Sequence, residues 1–172
     1  MYWRLGAEYR RRPSESNRAD FQALLRDGET LGLVAMDSAG SAVGWCQLTT
    51  REDLPWLERS WRVRRVDDTD AAWVLSCFYV RKGWRGRGVT DLLIHAAQGH
   101  AHALGAAVLE AIPLDAQVSK SSASTGYADT FLRWGFREIA RRSPERPILR
   151  CELPAHHGDT TKMQKGCPEG SA

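Results

Sequence analysis

Residues 80–90 read Val80-Arg81-Lys82-Gly83-Trp84-Arg85-Gly86-Arg87-Gly88-Val89-Thr90 and join an apolar run to an amphipathic one. The apolar run, residues 73–80, predicts a strand, and residues 89–104 repeat their apolar side chains at helical spacing. The first amides of a helix lack intrahelical acceptors and the helix dipole adds about half a positive charge there, so phosphates bind at such ends. Gly86 and Gly88 carry no Cβ, which lets the main chain approach a ligand closely. The stretch therefore predicts a pyrophosphate site built largely from backbone.

Three phosphate-binding patterns compete for this turn. A P-loop needs a lysine after its second glycine, but Val89 stands at that position. A dinucleotide-binding turn needs a third glycine, and Asp91 stands there instead. The third pattern is Gln/Arg-x-x-Gly-x-Gly/Ala, the acetyl-coenzyme A motif of the GNAT-type N-acetyltransferases. Residues 85–90 resemble this motif, with Thr90 in place of the final small residue. A solvated turn between a strand and a helix is the remaining alternative.

The resemblance extends to the sequence after the motif. Residues 107–112 form a compact apolar run that predicts a second strand, so strand, helix and strand make a βαβ unit. Residues 127–136 resemble the last helix of the family, which closes with a Gly-Phe pair, and residues 137–140 with 147–151 resemble its terminal hairpin. The resemblance covers about residues 30–150. It implies an α/β (α+β) protein of the GNAT-like acyl-CoA N-acyltransferase fold, with a mixed central sheet flanked by helices and a C-terminal β-hairpin.

We expect a single domain over residues 1–153 and a disordered tail over 154–172, which has almost no apolar content. The start is short for this family, so either Tyr2-Trp3-Arg4-Leu5 serves as a shortened first strand or the start is lost or misassigned. Residues 1–4 also resemble those of a group of actinobacterial-type members. Periodicity and turn residues predict helices over 16–26 and 88–104, strands over 31–36, 42–48 and 71–80, and a short helical piece within 52–65.

The composition argues against several kinds of partner. The net charge of +3 is too small to argue for nucleic acid, no run of 18 or more apolar residues indicates a membrane helix, and the N-terminus lacks the apolar core of a signal peptide. Four cysteines without CxxC spacing favour a reducing, cytoplasmic setting. His95 and His102 share a helix face but do not complete a metal set. We therefore expect a cytoplasmic protein without a nucleic-acid, membrane or metal partner, and the sequence leaves a homodimer open.

The resemblance implies that acetyl-CoA binds as a co-substrate. In the family, the splayed edge of the strand before the motif hydrogen-bonds the pantetheine arm, and a backbone amide there stabilises the developing oxyanion. The matching backbones here are those of Phe78, Tyr79 and Val80. We also expect Trp84 to lie against the coenzyme. The matching pyrophosphate-binding residues are Arg85, Gly86, Arg87, Gly88, Val89 and Thr90.

Acyl transfer to an amine needs a base, because an alkyl ammonium with a pKa of about 10.4 is not a nucleophile at neutral pH. Many family members carry a glutamate base on the central strand, at the position of Val74 here. Glu110 is therefore the first candidate, because a carboxylate inside a buried strand must be paired or have a shifted pKa. A structural salt bridge with one of the arginines is the alternative.

The general acid of the family is a tyrosine four residues before the glycine of the Gly-Phe pair, and Phe131 occupies that position here. Tyr127 lies one helical turn earlier and is the candidate substitute. An ordinary surface tyrosine is the alternative, and a thiolate can also leave without enzymatic protonation. The predicted catalytic residues are thus Glu110 and Tyr127.

The implied function is transfer of an acetyl or longer acyl group from the coenzyme to a primary amine of a small-molecule or peptide acceptor, by direct attack in a ternary complex. A non-catalytic acyl-CoA-binding module of the same fold is the alternative, which Val74 and Phe131 favour. A cluster of arginines followed by acidic residues suggests a self-paired loop, although an acidic acceptor could also dock there. This cluster consists of Arg59, Arg62, Arg64 and Arg65, followed by Asp67, Asp68 and Asp70.

Overall fold

The computed structural model of the chain describes residues 2–28, 31–69, 71–118 and 124–154. The tail predicted over 154–172 lies outside these ranges except for its first residue. None of the described helices has the length and apolarity needed to span a bilayer. The helices are α1 (Tyr2–Leu5), α2 (Glu8–Arg11), α3 (Ser14–Arg26), α4 (Pro55–Arg59), α5 (Val89–Ala103) and α6 (Ala128–Arg133). The strands are β1 (Leu33–Met36), β2 (Ala42–Thr50), β3 (Ala72–Val80), β4 (Val108–Ala111), β5 (Arg137–Ser143) and β6 (Arg146–Glu152).

The strands form one mixed sheet in the order β1-β2-β3-β4-β6-β5. β3 and β4 pair in parallel on either side of α5 in the chain, and the other neighbours pair antiparallel. β5 and β6 form a hairpin at the C-terminal end of the described chain. The predicted mixed sheet, flanking helices and terminal hairpin are thereby confirmed.

Apolar side chains pack on both faces of the sheet, because alternate residues of a strand point to opposite sides. Leu75 of β3 packs with Leu93 and Ile94 of α5 on one face. Its neighbour Val74 packs on the other face, in a smaller cluster that includes Trp3 of α1 and part of α4. β4 is buried at every position, as expected for a parallel strand covered on both faces.

A β-bulge interrupts β3. Gln47 of β2 pairs with Cys77, but the next residue, Leu48, pairs with Leu75, so Ser76 is an extra residue on β3. A bulge bends the strand that carries it and increases its twist. The second half of β3 therefore continues in a direction different from the first half.

The pairing between β3 and β4 ends at the same level. Its last pair is Leu75 with Ala111, and Pro113 follows shortly afterwards. Proline has no amide hydrogen to donate to a ladder, so β4 cannot be extended far beyond Ala111. Residues 76–80 of β3 therefore run on without β4 beside them.

Of the two alternatives for the start of the chain, the shortened first strand at Tyr2-Trp3-Arg4-Leu5 is not what the structure shows. These residues form α1, and the amide of Gly6 closes the helical turn by donating to the carbonyl of Tyr2 over 2.6 Å. The side chain of Trp3 is buried against Leu54 and Leu57. The segment thus packs with α4 over a face of the sheet and does not extend the sheet as a strand.

Gly44 of β2 allows α5 to lie close to the sheet, because a Cβ at this position would lie 2.6 Å from Cγ1 of Val89. We expect Gly44→Ala to lower the free energy of unfolding by about 1–3 kcal/mol, the usual effect of overpacking. Gly99 within α5 is the matched control, because no atom lies within 4 Å of a Cβ there. Gly99→Ala should raise the free energy of unfolding by about 1 kcal/mol through helix propensity. Urea unfolding measures both changes, and a Gly44→Ala variant as stable as the wild type would contradict the close contact.

Candidate active site

A cleft opens where β3 continues without β4. Its cavity measures about 660 Å³, which lies within the range of about 300–1,000 Å³ common for small-molecule sites. Residues 78–80 of β3 form one wall, and residues between 84 and 91, at the turn and the start of α5, form a second. Residues between 124 and 130, at the start of α6, form the third. The cleft therefore brings together the end of a strand and the beginnings of two helices.

The turn between β3 and α5 requires its glycines for their backbone conformation. Gly86 and Gly88 have φ angles of +71° and +76°, a left-handed region that other residues rarely adopt. No atom lies within 4 Å of a Cβ at either position, so the space above them is open. The turn is fastened to β3 by Nε of Arg85, which donates to the carbonyl of Val80 over 3.1 Å.

The start of α5 directs free amides towards the cleft. Gly88 is the N-cap, and no side chain of the described residues caps the helix. The amide of Leu92 donates to the Gly88 carbonyl over 3.0 Å, which leaves the amides before it without helical acceptors. Val89 and Thr90 carry two of these amides and line the cleft. Donors at the positive end of a helix dipole are the arrangement that binds phosphates.

Asp91 also lines the cleft, but its carboxylate is engaged on the far side. One oxygen accepts from Nε1 of Trp134 over 3.0 Å and from Nη2 of Arg133 over 3.1 Å. The hydrogen bond from Trp134 is the main reason that the pKa of Asp91 lies below its usual value. The Asp91 carboxylate, which argued against a dinucleotide-binding turn, is therefore bound by Arg133 of α6 and by Trp134.

The open edge of β3 offers one free amide. The amide of Arg81 donates to the carbonyl of Val43 on β2 over 2.9 Å. Because amides alternate along an antiparallel strand, those of Phe78 and Val80 point to the opposite edge. The Phe78 amide donates there to the carbonyl of Ser124 over 2.6 Å, whereas no described group accepts from the Val80 amide. Val80 is thus the member of the predicted backbone set whose amide is open to a ligand.

The structure brings the predicted coenzyme-binding residues together, except for Arg87. The others line the cleft, and so does Trp84. The guanidinium carbon of Arg87 lies 5.6 Å from the centroid of the Trp84 ring, over its face. Tyr127 lines the cleft as the N-cap residue of α6 and is 38% exposed. Its position is compatible with the predicted acid role.

The wall beside α6 carries residues that no sequence motif marks. Ser124 and Thr130 line the cleft, although neither belongs to a recognisable pattern. The segment is held in place through the chain after β4, because the amide of Leu114 donates to the Gly126 carbonyl over 2.9 Å and the amide of Ala128 donates to the Leu114 carbonyl over 3.0 Å. Because these hydrogen bonds join backbone atoms, the spacing of side chains in the sequence could not predict them.

Glu110 lies outside the cleft, in a buried ion-pair network, and is 2% exposed. One carboxylate oxygen accepts from Nη1 of Arg51 over 2.5 Å. The other accepts from Nη2 of Arg150 over 2.7 Å and from Nε over 3.2 Å. A general base needs a lone pair within reach of the substrate, but both oxygens are bound inside the protein. Glu110 is therefore not positioned as the predicted base, and its contacts match the alternative of a structural salt bridge.

The network extends from Glu110 to the surrounding chain. Arg51, which is 1% exposed, also donates to Glu58 over 2.7 Å and to the carbonyl of Val63 over 2.8 Å. Arg150 donates to both carboxylate oxygens of Asp67, over 2.8 and 2.9 Å. These hydrogen bonds hold the pKa of Asp67 well below its usual range. The network thus ties β4 and β6 to the residues that follow β2 and α4.

The described residues contain no group of three or more His, Cys, Asp or Glu side chains arranged to hold a metal ion.

A free helix start and an open strand edge around one cleft define the architecture of an acyl-coenzyme A N-acyltransferase. The chain matches the profile of the acetyltransferase (GNAT) family over residues 1–123 and belongs to that family. No curated protein matches the chain.

Solved structures of GNAT enzymes share this fold. An N-acetyltransferase from Staphylococcus aureus Mu50 has a TM-score of 0.53 and 15% identity, with 83% of this chain and 79% of that chain covered. A ribosomal-protein-alanine N-acetyltransferase from Brucella melitensis has a TM-score of 0.51 and 19% identity, with 81% and 78% covered. A GCN5-related N-acetyltransferase from Kribbella flavida has a TM-score of 0.50 and 17% identity, with 78% and 77% covered. At these identities the similarity establishes the fold alone.

The position of Glu110 predicts that its substitution affects stability and not coenzyme binding. We expect Glu110→Gln to lower the free energy of unfolding by about 3 kcal/mol or more, because two arginines lose a buried counter-charge. Glu138→Gln is the control, because Glu138 forms a solvent-exposed pair with Arg141 at 2.6 Å and such pairs contribute about 1 kcal/mol or less. Urea unfolding and calorimetric titration with coenzyme A give the two readouts. A folded, fully stable Glu110→Gln protein with abolished turnover would restore Glu110 as the base.

Proposed function

We propose that the protein transfers an acetyl or related acyl group from acetyl-CoA to a primary amine, by direct attack in a ternary complex. The observation that carries this proposal is the placement of the free amides of α5 and the free amide of Val80 in one cleft. The helix start suits a pyrophosphate. The unpaired edge of β3 suits an extended arm that hydrogen-bonds as a further strand would.

The residues around the cleft fit such a ligand. Gly86 and Gly88 leave open space where other residues would place a Cβ. Arg85 and Arg87 are exposed, and neither forms an ion pair with a described carboxylate, so their guanidinium groups are available to phosphate oxygens. The half-buried ring of Trp84 forms a flat apolar part of the wall. The charges and the shape of this wall complement a nucleotide diphosphate with an apolar arm.

When bound, the coenzyme supplies a thioester carbonyl as the electrophile and a thiolate as the leaving group. The Val80 amide is the protein donor available to negative charge that develops on the carbonyl oxygen. Tyr127 lines the same cleft, and its hydroxyl is the proposed proton donor to the thiolate. Because Glu110 is bound to arginines, the ammonium loses its proton to water in this proposal before the neutral nitrogen attacks.

A non-catalytic acyl-CoA-binding module is the second candidate, because the positions where the family carries its acid and base offer no available group. Val74 is fully buried on β3. Phe131 is buried beneath the cleft, where its ring packs edge-on against that of Phe78 with centroids 5.9 Å apart. Both side chains serve the core, and neither can transfer a proton.

The proposed phosphate site predicts opposite effects of a new carboxylate on stability and on affinity. Thr90→Asp should stabilise α5 by about 0.3–1 kcal/mol, because acidic residues are favourable in the first turn of a helix. The same charge should lower the affinity for coenzyme A by about tenfold or more, since it faces the phosphates. Gly88→Asp should abolish binding, because it adds bulk and strains a residue with φ of +76°.

Gly83→Asp is the charge-matched control for both variants, because Gly83 is exposed and does not line the cleft. It should change the affinity by less than about threefold at physiological salt, where exposed charges are screened. Calorimetric titration with coenzyme A and thermal melting measure affinity and stability in parallel. Unchanged affinity in the well-folded Thr90→Asp protein would refute the phosphate site.

Turnover separates the enzyme from the binding module. We expect free thiol to be released from acetyl-CoA when a suitable primary amine is added, and Tyr127→Phe to lower kcat by about tenfold or more with the coenzyme affinity unchanged. A thiol-reactive dye follows the reaction, and coenzyme hydrolysis without amine gives the background. If coenzyme A binds but no amine raises thiol release above that background, the binding module is the correct assignment.

A further inference from the structure

A second cavity lies on the opposite face of the sheet from α5. It measures about 350 Å³, roughly half the volume of the coenzyme cleft. Helices α1 and α2, the residues around α4, and Cys77 of β3 form its walls. Burial raises the pKa of the Cys77 thiol, so this wall contributes an uncharged side chain. The volume suits a small molecule.

Three guanidinium groups reach this cavity, and none of them forms an ion pair with a carboxylate of the residues that the structure describes. Arg10, Arg62 and Arg146 line it, and none of its described lining residues is acidic. Arg10 lies over the ring of Tyr2 at 5.1 Å, and Arg62 lies over the ring of Trp61 at 5.5 Å. These are cation–π contacts, which orient the cations but do not neutralise their charge as a carboxylate would.

Arg146 is the most informative of the three because it is partly removed from water. Its Nη1 donates to Oγ1 of Thr125 over 3.1 Å and to the carbonyl of Ile112 over 3.4 Å, both of which are neutral acceptors. Burial lowers the pKa of the Arg146 guanidinium, and the opposing charge of the neighbouring Glu145 only partly offsets this effect. A desolvated cation facing a cavity is most favourable when an anion occupies that cavity.

Aromatic rings form much of the remaining wall. Tyr2, Tyr9 and Trp56 line the cavity, and the rings of Tyr2 and Tyr9 pack edge-on with centroids 6.5 Å apart. Tyr2 also packs edge-on against the buried ring of Trp3, at 5.2 Å. These contacts hold the rings in place, and fixed aromatic walls favour a flat apolar body.

The second cavity adjoins the coenzyme cleft at one residue. Ser124 lines both, and its carbonyl accepts from the Phe78 amide. Phe78 lines the cleft while its neighbour Cys77 lines the second cavity. A ligand in the second cavity therefore lies across the edge of β3 from the place where the thioester is proposed to bind.

We propose that the second cavity holds the acceptor, and that the acceptor is a small primary amine with an aromatic body and an anionic group bound by Arg146 and Arg10. This inference rests on the proposed function and adds the chemical class of the amine. In the ternary complex the ammonium first loses one proton to water, and the neutral amine nitrogen then forms a C–N bond to the acyl carbon. The C–S bond breaks, the thiolate takes a proton from Tyr127, and the second proton of the nitrogen returns through water to Tyr127. The anionic group stays with the guanidinium groups and fixes the orientation of the nitrogen.

Matched amines with and without a carboxylate test this proposal. Phenylalanine is compared with phenethylamine, and 4-(aminomethyl)benzoate with benzylamine, in calorimetric titrations of the coenzyme A-loaded protein and in thiol-release assays. We expect the anionic member of at least one pair to bind about tenfold or more tightly, the usual effect of a charge-assisted hydrogen bond. Because calorimetry measures binding of the amine directly, the preference for the anionic amine can be tested even if the protein shows no turnover.

Variants that neutralise single arginines identify the residues that bind the anionic group of the amine. Arg146→Gln should remove the preference for the anionic amine while leaving the affinity for coenzyme A unchanged. Arg10→Gln, at an exposed position, should weaken the preference even if the Arg146 variant fails to fold. Arg137→Gln is the control, because Arg137 pairs with Glu152 on β6 at 2.6 Å and lines neither cavity.

The outcomes distinguish this inference from the proposed function. Equal binding of both members of each pair, no binding of any of these amines, or a preference that survives in both arginine variants would overturn the acceptor class. The coenzyme site would be unaffected by those results. Failure of the wild-type protein to bind coenzyme A would instead overturn the proposed function.

Discussion

The early end of pairing between β3 and β4 is the constraint on which the site depends. β4 is four residues long, and the proline that follows it removes a donor that a longer ladder would need. At the same level Ser76 forms a bulge that bends β3. Beyond Phe78, whose amide binds the Ser124 carbonyl, β3 therefore keeps the edge at Val80 free of a neighbouring strand, and the turn to α5 follows directly. If β4 had continued, its own backbone would occupy the edge where the Val80 amide is now free.

The buried network around Glu110 shows how the sheet tolerates charge at its centre. An isolated carboxylate in β4 would be strongly unfavourable, whereas two arginines compensate it and are themselves bound by further acceptors. Arg51 follows β2 and Arg150 lies on β6, so the network joins segments that are distant in the chain. Its geometry constrains the relative positions of these segments. It also explains why the one acidic side chain of β4 has no contact with the cleft.

Local patterns predicted most of the fold and much of the cleft, because they depend on residues close together in the chain. The strand, glycine turn and helix at residues 73–104 are of this kind. The sequence did not reveal that Glu110 pairs with Arg51, which lies 59 residues away, and it left that salt bridge as an alternative to a base. It also did not reveal that the backbone carbonyl of Ser124 accepts from the Phe78 amide. Every residue has such a carbonyl, so the type of residue gives no signal for this contact. The sequence also left open whether residues 2–5 form a first strand, because the contacts that bury Trp3 against α4 are tertiary.

The two cores on opposite faces of the sheet divide the molecule into separate layers. The cleft beside β3 belongs to the layer built with α5, whereas the second cavity belongs to the layer built with α1, α2 and α4. Ser124 is the residue that lines both cavities. Substitutions in the first helices can therefore reshape the second cavity while the packing of α5 on the sheet stays intact.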